Sequence, residues 1–536
     1  MQLSPTAHVD TFCRDHLPPA DQWPEFPSLS ELGYPGRLNC ASVLLDEPIA
    51  RYGGDRTCLR TPEEHWTYDE LRATANRIAR VLTEDLGVVA GNRVLLRGPN
   101  NAWLVAAWLG VLKAGAVAVT TMPLLRAGEL RKIRDIGEVG FALCDHRFLD
   151  DLQVPGLRVL PFGGDTDDDL TRRCAEKPPG FADVPTAADD VALLAFTSGT
   201  TGRPKATLHF HRDVLAIADT FSRHVLRPDA DDLFTGTPPL AFTFGLGALV
   251  IFPLRAGAAS LLLEKATPEQ LAGHIAEHHA TICFTAPTAY KAMLATGAAA
   301  RLRSLRRCVS AGEHLPEAIW KRFHAETGVK LIDGIGATEL LHIFISAADD
   351  DIRPGATGKP VPGYRAAVLD DAGNPVPDGE IGRLAVQGPT GCRYLDDPRQ
   401  AEYVRDGWNL TGDTYLRDTD GYFWYQARSD DMIVSAGYNI AGPEVEEALL
   451  AHPDVDECGV VGAPDPDRGR IVCAFVVLGP GRQPGEAAVR ELQDFVKQRI
   501  APYKYPRRIR FLKALPRTST GKLERHRLRE DAALPG

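Results

Sequence analysis

The sequence lacks the cysteine patterns that build disulfide frameworks and zinc sites. Its ten cysteines are scattered along 536 residues, with no CxxC pair and no cysteine–histidine spacing suited to a metal. Reduced thiols are the simplest interpretation. The N-terminus also lacks a basic segment followed by an apolar one, so we expect no signal peptide and a cytoplasmic protein.

Uninterrupted hydrophobic runs of membrane-spanning length are missing as well. Two stretches come near, Ala102–Leu125 and Phe242–Leu263, but each contains a basic residue and helix-breaking glycines or prolines, such as Lys113 and Pro253. We therefore predict buried core in both places and no membrane partner.

The length and composition are those of a globular protein with more than one folding unit. A chain of 536 residues exceeds what a single core usually spans. The hydrophobic fraction of 44% provides enough apolar material for large cores.

The C-terminal region is basic although the chain as a whole carries a net charge of −11. Between Lys497 and Arg529 there are twelve Lys and Arg residues and one acid, Glu524. A nucleic-acid arm, a lid over an anionic nucleotide and a solvated face are the alternatives. The region lacks the partner motifs of known nucleic-acid modules, so no nucleic-acid partner is expected. By charge alone, the basic residues, Arg525 among them, are expected to be solvated.

The order of helix-like and strand-like segments predicts the fold class. Residues 68–86 and 102–113 have helical spacing, and residues 93–96 form a short apolar run between them. This alternation predicts an α/β layered fold with largely parallel strands. Short runs between turn residues over 355–387 predict a small antiparallel β unit. A compact α+β domain is predicted after residue 428.

A strand that runs into Thr197–Lys205, with the sequence TSGTTGRPK, is the most informative segment. Its glycines let the backbone approach a phosphate, its hydroxyls add donors, and Lys205 adds positive charge. It is not a Walker A loop, because the spacing from Gly199 to Gly202 is too short and Ala206 follows the lysine. A solvated turn is the alternative, and the length of the run favours phosphate binding.

This loop resembles the phosphate-binding signature of the acyl-adenylate-forming superfamily, which includes acyl-CoA synthetases, peptide-synthetase adenylation domains and beetle luciferases. Further segments resemble the other motifs of that superfamily, in the same order. They are DGIGATE (333–339), GWNLTGD (407–413), QARSDDMI (426–433), SAGYNI with PEVE (435–440 and 443–446) and LPRTSTGK (515–522). Two positions depart from the usual pattern: Ala206 replaces Gly, and Ile335 replaces the Tyr that stacks on adenine in many members.

The resemblance implies a two-domain architecture. A large N-terminal domain of layered α/β subdomains plus a small β unit, residues 1–429, would bind ATP and the acid. A small mobile α+β domain, residues 430–536, would carry the catalytic lysine.

The resemblance also assigns roles to individual residues. Catalysis is expected of Lys522, Thr338 and Glu339, with Glu339 as the Mg²⁺ ligand. ATP and AMP binding is expected of Thr197, Ser198, Gly199, Thr200, Thr201, Gly202, Lys205, Gly334, Gly336, Ala337, Asp413 and Arg428. Asp430 is the expected hinge, and Gly437 and Tyr438 are the expected CoA-binding residues.

The acid is expected to be a small aromatic one. Phe242-Thr243 stands where amino-acid-activating domains have Phe-Asp, which argues against an α-amino acid substrate. The Phe242/Phe244 pair suggests a flat apolar slot, with plain core packing as the alternative. The segment DGIGATELLHIFIS (333–346) is similar to benzoate- and 2-aminobenzoate-CoA ligases. The expected pocket comprises Phe242, Phe244, Gly245, Phe284, Ala286, Pro287, Tyr290, Ala311, Gly312, His342 and Ile343.

The predicted function is ATP-dependent activation of such an acid, 2-aminobenzoate or another ortho-substituted benzoate, followed by transfer to CoA. ATP, Mg²⁺ and CoA are the expected cofactors and co-substrates. A free-standing aryl-adenylating enzyme that loads a carrier protein is the nearest alternative, and a luciferase-type oxygenase is a further one. The sequence also leaves open whether the chain forms a homodimer.

Overall fold

The computed structural model describes residues 3–197, 203–313, 315, 317–428, 432–436, 438–516 and 523–534. The chain divides into two compact units. The first contains Met1–Pro123, Arg134–Phe196 and Ala206–Ala427, and the second contains Leu124–Ile133, Thr197–Lys205 and Arg428–Gly536. The predicted boundary between residues 429 and 430 lies outside the described residues and stays a prediction.

The first part of the chain alternates helices with strands. Its helices are α1 (Phe12–Asp15), α2 (Cys40–Tyr52), α3 (Tyr68–Arg80), α4 (Ala102–Lys113), α5 (Ala127–Gly137) and α6 (Leu170–Ala175). Its strands are β1 (Thr57–Arg60), β2 (His65–Thr67), β3 (Arg93–Arg97), β4 (Val117–Thr121), β5 (Phe141–Asp145) and β6 (Arg158–Phe162).

The middle part continues the alternation and ends in a run of strands. Its helices are α7 (His211–Ile217), α8 (Thr243–Leu246), α9 (Phe252–Ala256), α10 (Pro268–His278), α11 (Pro287–Thr296), α12 (Glu317–Thr327) and α13 (Gln400–Tyr403). Its strands are β7 (Val191–Thr197), β8 (Lys205–Phe210), β9 (Leu233–Gly236), β10 (Ala259–Leu261), β11 (Ile282–Thr285), β12 (Arg307–Ala311), β13 (Leu331–Gly336), β14 (Ile343–Ser346), β15 (Lys359–Pro360), β16 (Arg365–Leu369), β17 (Ile381–Gln387), β18 (Val404–Arg405), β19 (Trp408–Arg417) and β20 (Phe423–Arg428).

The last part is a smaller α+β arrangement. Its helices are α14 (Gly442–Leu450), α15 (Glu486–Arg499) and α16 (Arg525–Ala533), and its strands are β21 (Met432–Ser435), β22 (Tyr438–Ala441), β23 (Val455–Asp465), β24 (Gly469–Leu478) and β25 (Arg508–Phe511).

Two large sheets with mainly parallel strands confirm the predicted α/β layers. One has the strand order β6-β5-β3-β4-β7-β8, and the other has the order β15-β14-β13-β12-β11-β9-β10-β1-β2. In the second sheet, the neighbouring strands from β13 to β1 in this order all pair in parallel. Strands β2, β14 and β15 join the edges of the sheet in antiparallel fashion.

The β unit predicted at 355–387 is antiparallel, and it is larger than the sequence indicated. Strands β16, β17, β19 and β18 follow one another in a sheet, and β20 joins it on β19. The last part of the chain forms a two-stranded sheet, β21-β22, and a three-stranded sheet, β23-β24-β25.

Local signals explain where the helices begin. Helix α3 starts with a capping box, in which the Thr67 hydroxyl accepts from the Glu70 N–H and the Glu70 carboxylate accepts from the Thr67 N–H. Helix α4 starts at Asn101, whose side chain accepts from the Leu104 N–H.

The two membrane-like stretches are buried core, as predicted. Nearly every residue of α4 is buried, and the Lys113 ammonium within it contacts an Asp183 carboxylate oxygen at 2.8 Å. Within the described ranges, no helix has both the length and the hydropathy needed to cross a bilayer. All ten cysteines are buried and free.

The expectation that the basic C-terminal residues are solvated is wrong for two of them, both in the second unit. The Lys504 ammonium is buried between carboxylate oxygens of Glu129 at 2.7 Å and Glu444 at 2.8 Å. Arg525 donates to both carboxylate oxygens of Glu446, at 2.6 and 2.8 Å, and to the Val460 carbonyl at 3.0 Å. A count of charges does not reveal such partners, and the carboxylates that pair with these cations are distant in sequence.

We therefore predict that Arg525→Ala loosens the contact between α16, α14 and β23. Hydrogen bonds between charged groups contribute about 1.5–3 kcal/mol each. The free energy of opening that hydrogen exchange reports for the β23 amides should therefore fall by about 1.5–3 kcal/mol. Hydrogen–deuterium exchange measured by mass spectrometry on peptides covering β23 provides the test. Lys513→Ala is the matched control, because Lys513 is exposed and its removal should leave the exchange unchanged. Equal exchange in the two variants would contradict the structural role of Arg525.

Candidate functional site

The carboxyl ends of three neighbouring parallel strands bring many of the predicted pocket residues, together with Thr338 and Glu339, to one sheet edge. Strands β11, β12 and β13 lie side by side, with Thr285 opposite Ser310 and Ala311 opposite Gly334. Predicted pocket and nucleotide residues follow directly after these strands. Ligands of open α/β sheets bind at this edge, because the loops there come from different strands and face one another.

Thr338 and Glu339 lie just after β13. They belong to a short 3₁₀ helix, Thr338–Leu340, and Glu339 is buried. The hydroxyl of Tyr394 donates a hydrogen bond to Oε1 of Glu339 at 2.5 Å. A carboxylate is a hard oxygen donor, the ligand type that Mg²⁺ prefers, so Glu339 fits the predicted metal.

Leu341 separates this corner from the predicted acid pocket. Its φ of +70° is one that a residue with a side chain rarely adopts. Strained backbone of this kind often occurs at functional sites, where surrounding contacts hold it in place. Here it reverses the chain between Glu339 and His342.

His342 lies at the centre of an aromatic cluster that includes two of the predicted pocket residues. Its ring centroid is 5.5 Å from that of Phe244 and 6.4 Å from that of Phe284. Phe221 and Phe252 complete the cluster at 5.5 and 4.6 Å. The prediction from sequence did not include these two. Each lies at or next to a π-helical segment, Ala218–Leu226 or Gly247–Ile251, a local structure that is frequent at functional sites.

His342 is buried, and neither of its ring nitrogens makes a hydrogen bond of ordinary geometry to another described residue, although the Phe244 backbone lies close to the ring. Burial lowers the pKa of His342 to about 3, so the imidazole is neutral at physiological pH. A buried polar group without a partner is rare in a folded protein, and its nitrogens are therefore available to a ligand.

Glycines permit the close packing around His342. A Cβ built on Gly247 would lie 2.4 Å from Cδ2 of the imidazole, which is closer than real Cβ contacts allow. A Cβ on Gly336 would lie 2.8 Å from the His342 backbone, and one on Gly334 would lie 2.8 Å from the Ile343 side chain. The two glycines of the DGIGATE segment therefore let the turn approach β14.

The other predicted pocket residues lie at the starts of α8 and α11 and at the end of β12. Phe242 precedes α8, and Gly245 within that helix packs against the Pro239 carbonyl, where a Cβ would lie 2.2 Å away. Ala286 precedes α11, Pro287 is its first residue, Ala311 ends β12 and Gly312 follows it.

Tyr290, another predicted pocket residue, packs away from the His342 cluster. Its hydroxyl donates to the carbonyls of Cys283 and Val309, and its ring packs edge-on against Phe323 in a separate hydrophobic core. Phe284 belongs to the other core, together with Phe252. Helical spacing alone does not tell which core a residue of α11 enters.

Asp413 is the predicted ribose-binding residue and lies on β19. It is buried, and its backbone N–H donates to the Thr411 hydroxyl at 3.3 Å. Asp333, at the start of the DGIGATE segment, was not predicted as a site residue, yet one of its carboxylate oxygens is buried without a partner among the described residues. Burial raises the pKa of Asp333 well above its usual value.

Several predicted residues lie at or beyond the edge of what the structure describes. Thr197 ends β7 and Lys205 begins β8, while Ser198, Gly199, Thr200, Thr201 and Gly202 lie outside the described residues. Lys522, Asp430 and Gly437 also lie outside them. Arg428 is the last residue of β20. In the second unit, Tyr438 stacks on Tyr503 with ring centroids 4.2 Å apart.

A buried ion pair supports the corner around Glu339. Arg393 donates to Asp213 at 2.7 Å, and neither side chain is exposed to solvent. The Arg393 guanidinium also lies over the ring of Phe210, 4.1 Å from its centroid. His209 is fully buried beside this pair, and burial lowers its pKa to about 4.

Comparisons with known proteins agree with the motifs. The chain matches the model of a family described as AMP-binding enzyme over residues 45–393, and that of the AMP-binding enzyme C-terminal domain over residues 444–522. A benzoate–CoA ligase of Thauera aromatica is 36% identical over 509 residues, which cover 92% of this chain and 96% of that protein. A 3-hydroxybenzoate–CoA ligase of Aromatoleum sp. (strain CIB) is 33% identical over 514 residues, covering 92% and 97%.

A similar solved structure is that of the anthranilate CoA ligase AuaEII in complex with anthranoyl-AMP. It is 35% identical to this chain and superposes with a TM-score of 0.73, covering 94% of this chain and 98% of the other.

Three buried histidines, His209, His211 and His342, predict how stability depends on pH. Burial lowers the pKa of His211 to about 3, as for His342. The folded state keeps all three neutral, whereas the unfolded chain binds protons below about pH 6.5. Protons therefore favour unfolding as the pH falls from 6.5 towards the folded pKa values. The cost is about 1.4 kcal/mol per pH unit for each histidine.

His342→Gln should remove one of these three contributions. Urea unfolding between pH 7 and pH 5 should show a pH slope smaller by one proton than in the parent protein. His65→Gln is the control, because His65 is exposed and its substitution removes no buried imidazole. If the slope of His342→Gln equals that of the parent, His342 is not the neutral buried group described here.

Proposed function

Because this chain belongs to the AMP-binding enzyme family and is an AMP-forming acid–CoA ligase, we propose that its acid is a small aromatic carboxylate. Relatives named for benzoate and hydroxybenzoates support ligation of an aromatic acid to CoA. 2-Aminobenzoate or another ortho-substituted benzoate is the first candidate, and the solved anthranilate CoA ligase supports that choice.

The observation that carries the proposal is the unpartnered imidazole of His342 within four phenylalanine rings. A flat apolar ring can stack and pack edge-on within such a cluster. A neutral imidazole offers one N–H donor and one acceptor nitrogen. It could therefore donate to a substrate carboxylate or accept from an amino group on the ring. A flexible alkyl chain would gain less binding free energy from the phenylalanine rings and from the imidazole.

The first half-reaction joins the acid to AMP and releases pyrophosphate. It brings several negative charges together, so the site must offset them in the transition state. Glu339 would hold Mg²⁺, which neutralises phosphate charge when bound, and the Thr338 hydroxyl would donate to a phosphate. Asp413 would accept hydrogen bonds from the ribose hydroxyls.

The lysines would supply the remaining positive charge. Lys205 would contact the phosphates from the loop that begins at Thr197, together with the hydroxyls and backbone N–H groups of that loop. Lys522 would bridge the substrate carboxylate and the α-phosphate. The resulting mixed anhydride has a good leaving group, which the carboxylate itself lacks.

The second half-reaction transfers the acyl group from AMP to a thiol and releases AMP, and CoA is the proposed acceptor. The C-terminal domain would rotate at Asp430 after adenylation and exchange the Lys522 face for the face around Gly437 and Tyr438. A carrier-protein pantetheine is the alternative thiol, because both acceptors share the pantetheine arm.

The substrate class is tested with a panel of acids. Benzoates with small substituents should turn over far better than octanoic to hexadecanoic acids, because the four rings and His342 suit a flat aromatic substrate. The assay traps the acyl-adenylate with hydroxylamine, and parallel reactions with CoA measure thioester. Equal activity on a long-chain acid would overturn the aromatic assignment, and thioester formation on a carrier protein but not on CoA would favour the alternative thiol.

The role of Lys522 is tested by separating the half-reactions. Lys522→Ala should slow adenylation by about 10²–10³, the cost of removing one well-placed charge stabiliser. Conversion of presynthesised acyl-adenylate to thioester should be nearly unaffected, since the lysine would by then have left the site. Lys513→Ala is the control, an exposed lysine in the same basic region whose loss should affect neither step. Equally mild effects of the two substitutions on adenylation would remove Lys522 from the mechanism.

A further inference from the structure

Glu339 has a partner that no motif of the family resemblance includes. The Tyr394 hydroxyl donates to its Oε1 at 2.5 Å, and both side chains are buried. The two residues are far apart in sequence and come from different layers: Glu339 follows β13, whereas Tyr394 lies between β17 and β18. A short hydrogen bond to a charged acceptor is among the stronger polar contacts in a protein.

Tyr394 itself is held firmly. Its backbone N–H donates to Oε1 of Gln400 at 2.9 Å, and the ring of Tyr403 packs edge-on against its own ring, with centroids 5.7 Å apart. The segment around it pairs with β8, through the Leu208 N–H to the Arg393 carbonyl and the Leu395 N–H to the Ala206 carbonyl.

These contacts leave the hydroxyl of Tyr394 little freedom. The residue before it, Arg393, is fixed by the buried ion pair with Asp213. A phenol keeps its proton near neutral pH, so the Tyr394 hydroxyl is a donor. A rigid neutral donor beside a carboxylate selects one rotamer of that carboxylate.

We infer that Tyr394 is a positioning residue, which orients the Glu339 carboxylate for the metal–nucleotide complex. This inference rests on the proposed function, in which Glu339 is the Mg²⁺ ligand. Groups that hydrogen-bond to a metal ligand fix its orientation, and their loss costs about 10–100-fold in metal affinity or activity. Without the hydroxyl, the Glu339 carboxylate would lose one of the contacts that fix its orientation.

The test measures metal binding directly rather than turnover alone. Mn²⁺ replaces Mg²⁺ as an oxygen-preferring probe, and electron paramagnetic resonance follows its binding to the full-length protein in the presence of ATP. Tyr394→Phe should weaken Mn²⁺ binding by about 10–100-fold. The KM for the acid should stay unchanged, because the aromatic cluster around His342 does not include Tyr394.

Tyr68→Phe is the matched control. Tyr68 is also a buried tyrosine in the first unit, and its hydroxyl makes one hydrogen bond, to the Ala258 carbonyl at 2.8 Å. The Tyr68→Phe substitution also removes one buried hydrogen bond of a tyrosine hydroxyl, but it should leave Mn²⁺ binding at the parental value. If Tyr394→Phe and Tyr68→Phe weaken Mn²⁺ binding equally, or if neither does, the positioning role is overturned.

A double-mutant cycle distinguishes this inference from the function on which it rests. Glu339→Gln should weaken Mn²⁺ binding strongly, and the combined Glu339→Gln/Tyr394→Phe variant should lose no more, because the tyrosine acts through the carboxylate. Additive losses would overturn the positioning role while leaving Glu339 as the ligand. Parental Mn²⁺ binding in Glu339→Gln would instead refute the metal role proposed for Glu339.

Discussion

A buried ion pair between Asp213 and Arg393 joins two distant segments of the first unit. Asp213 lies on α7, directly after β8, and Arg393 lies in the segment that pairs with β8. Breaking such a pair by removing one partner costs about 3–5 kcal/mol, since it leaves an uncompensated charge in the core. The charges of Asp213 and Arg393 therefore compensate each other only while α7 and the segment that contains Arg393 stay packed together. Tyr394, the next residue, lies beside Glu339 and donates a hydrogen bond to it.

The sheet edge adds a second constraint. Strands β11, β12 and β13 end side by side, so residues far apart in sequence meet there without any loop having to be long. The turn after β13 then serves two purposes. Glu339 points to the corner with Tyr394, and His342 enters the phenylalanine cluster, with the unusual backbone of Leu341 between them.

Much of this could be predicted from the sequence, and the exceptions have physical reasons. The α/β layers followed from the alternation of periodic segments, and the positions of Glu339, Asp413 and His342 from continuous motifs. Tyr394, Phe221 and Phe252 could not be found that way, because their contacts depend on how distant segments pack. Arg525 was misjudged for the same reason: composition counts charges but does not show the carboxylate that faces each one.

The ten buried cysteines have a consequence for an enzyme that produces an acylating agent. A mixed anhydride reacts with thiolates, and an exposed cysteine near neutral pH would compete with CoA for the acyl group. Here every thiol is buried, and burial raises the pKa of Cys283, for example, to about 12. The protein thus presents no nucleophilic sulfur of its own to the activated acid, and the only thiol to intercept it is the one that binds as a substrate.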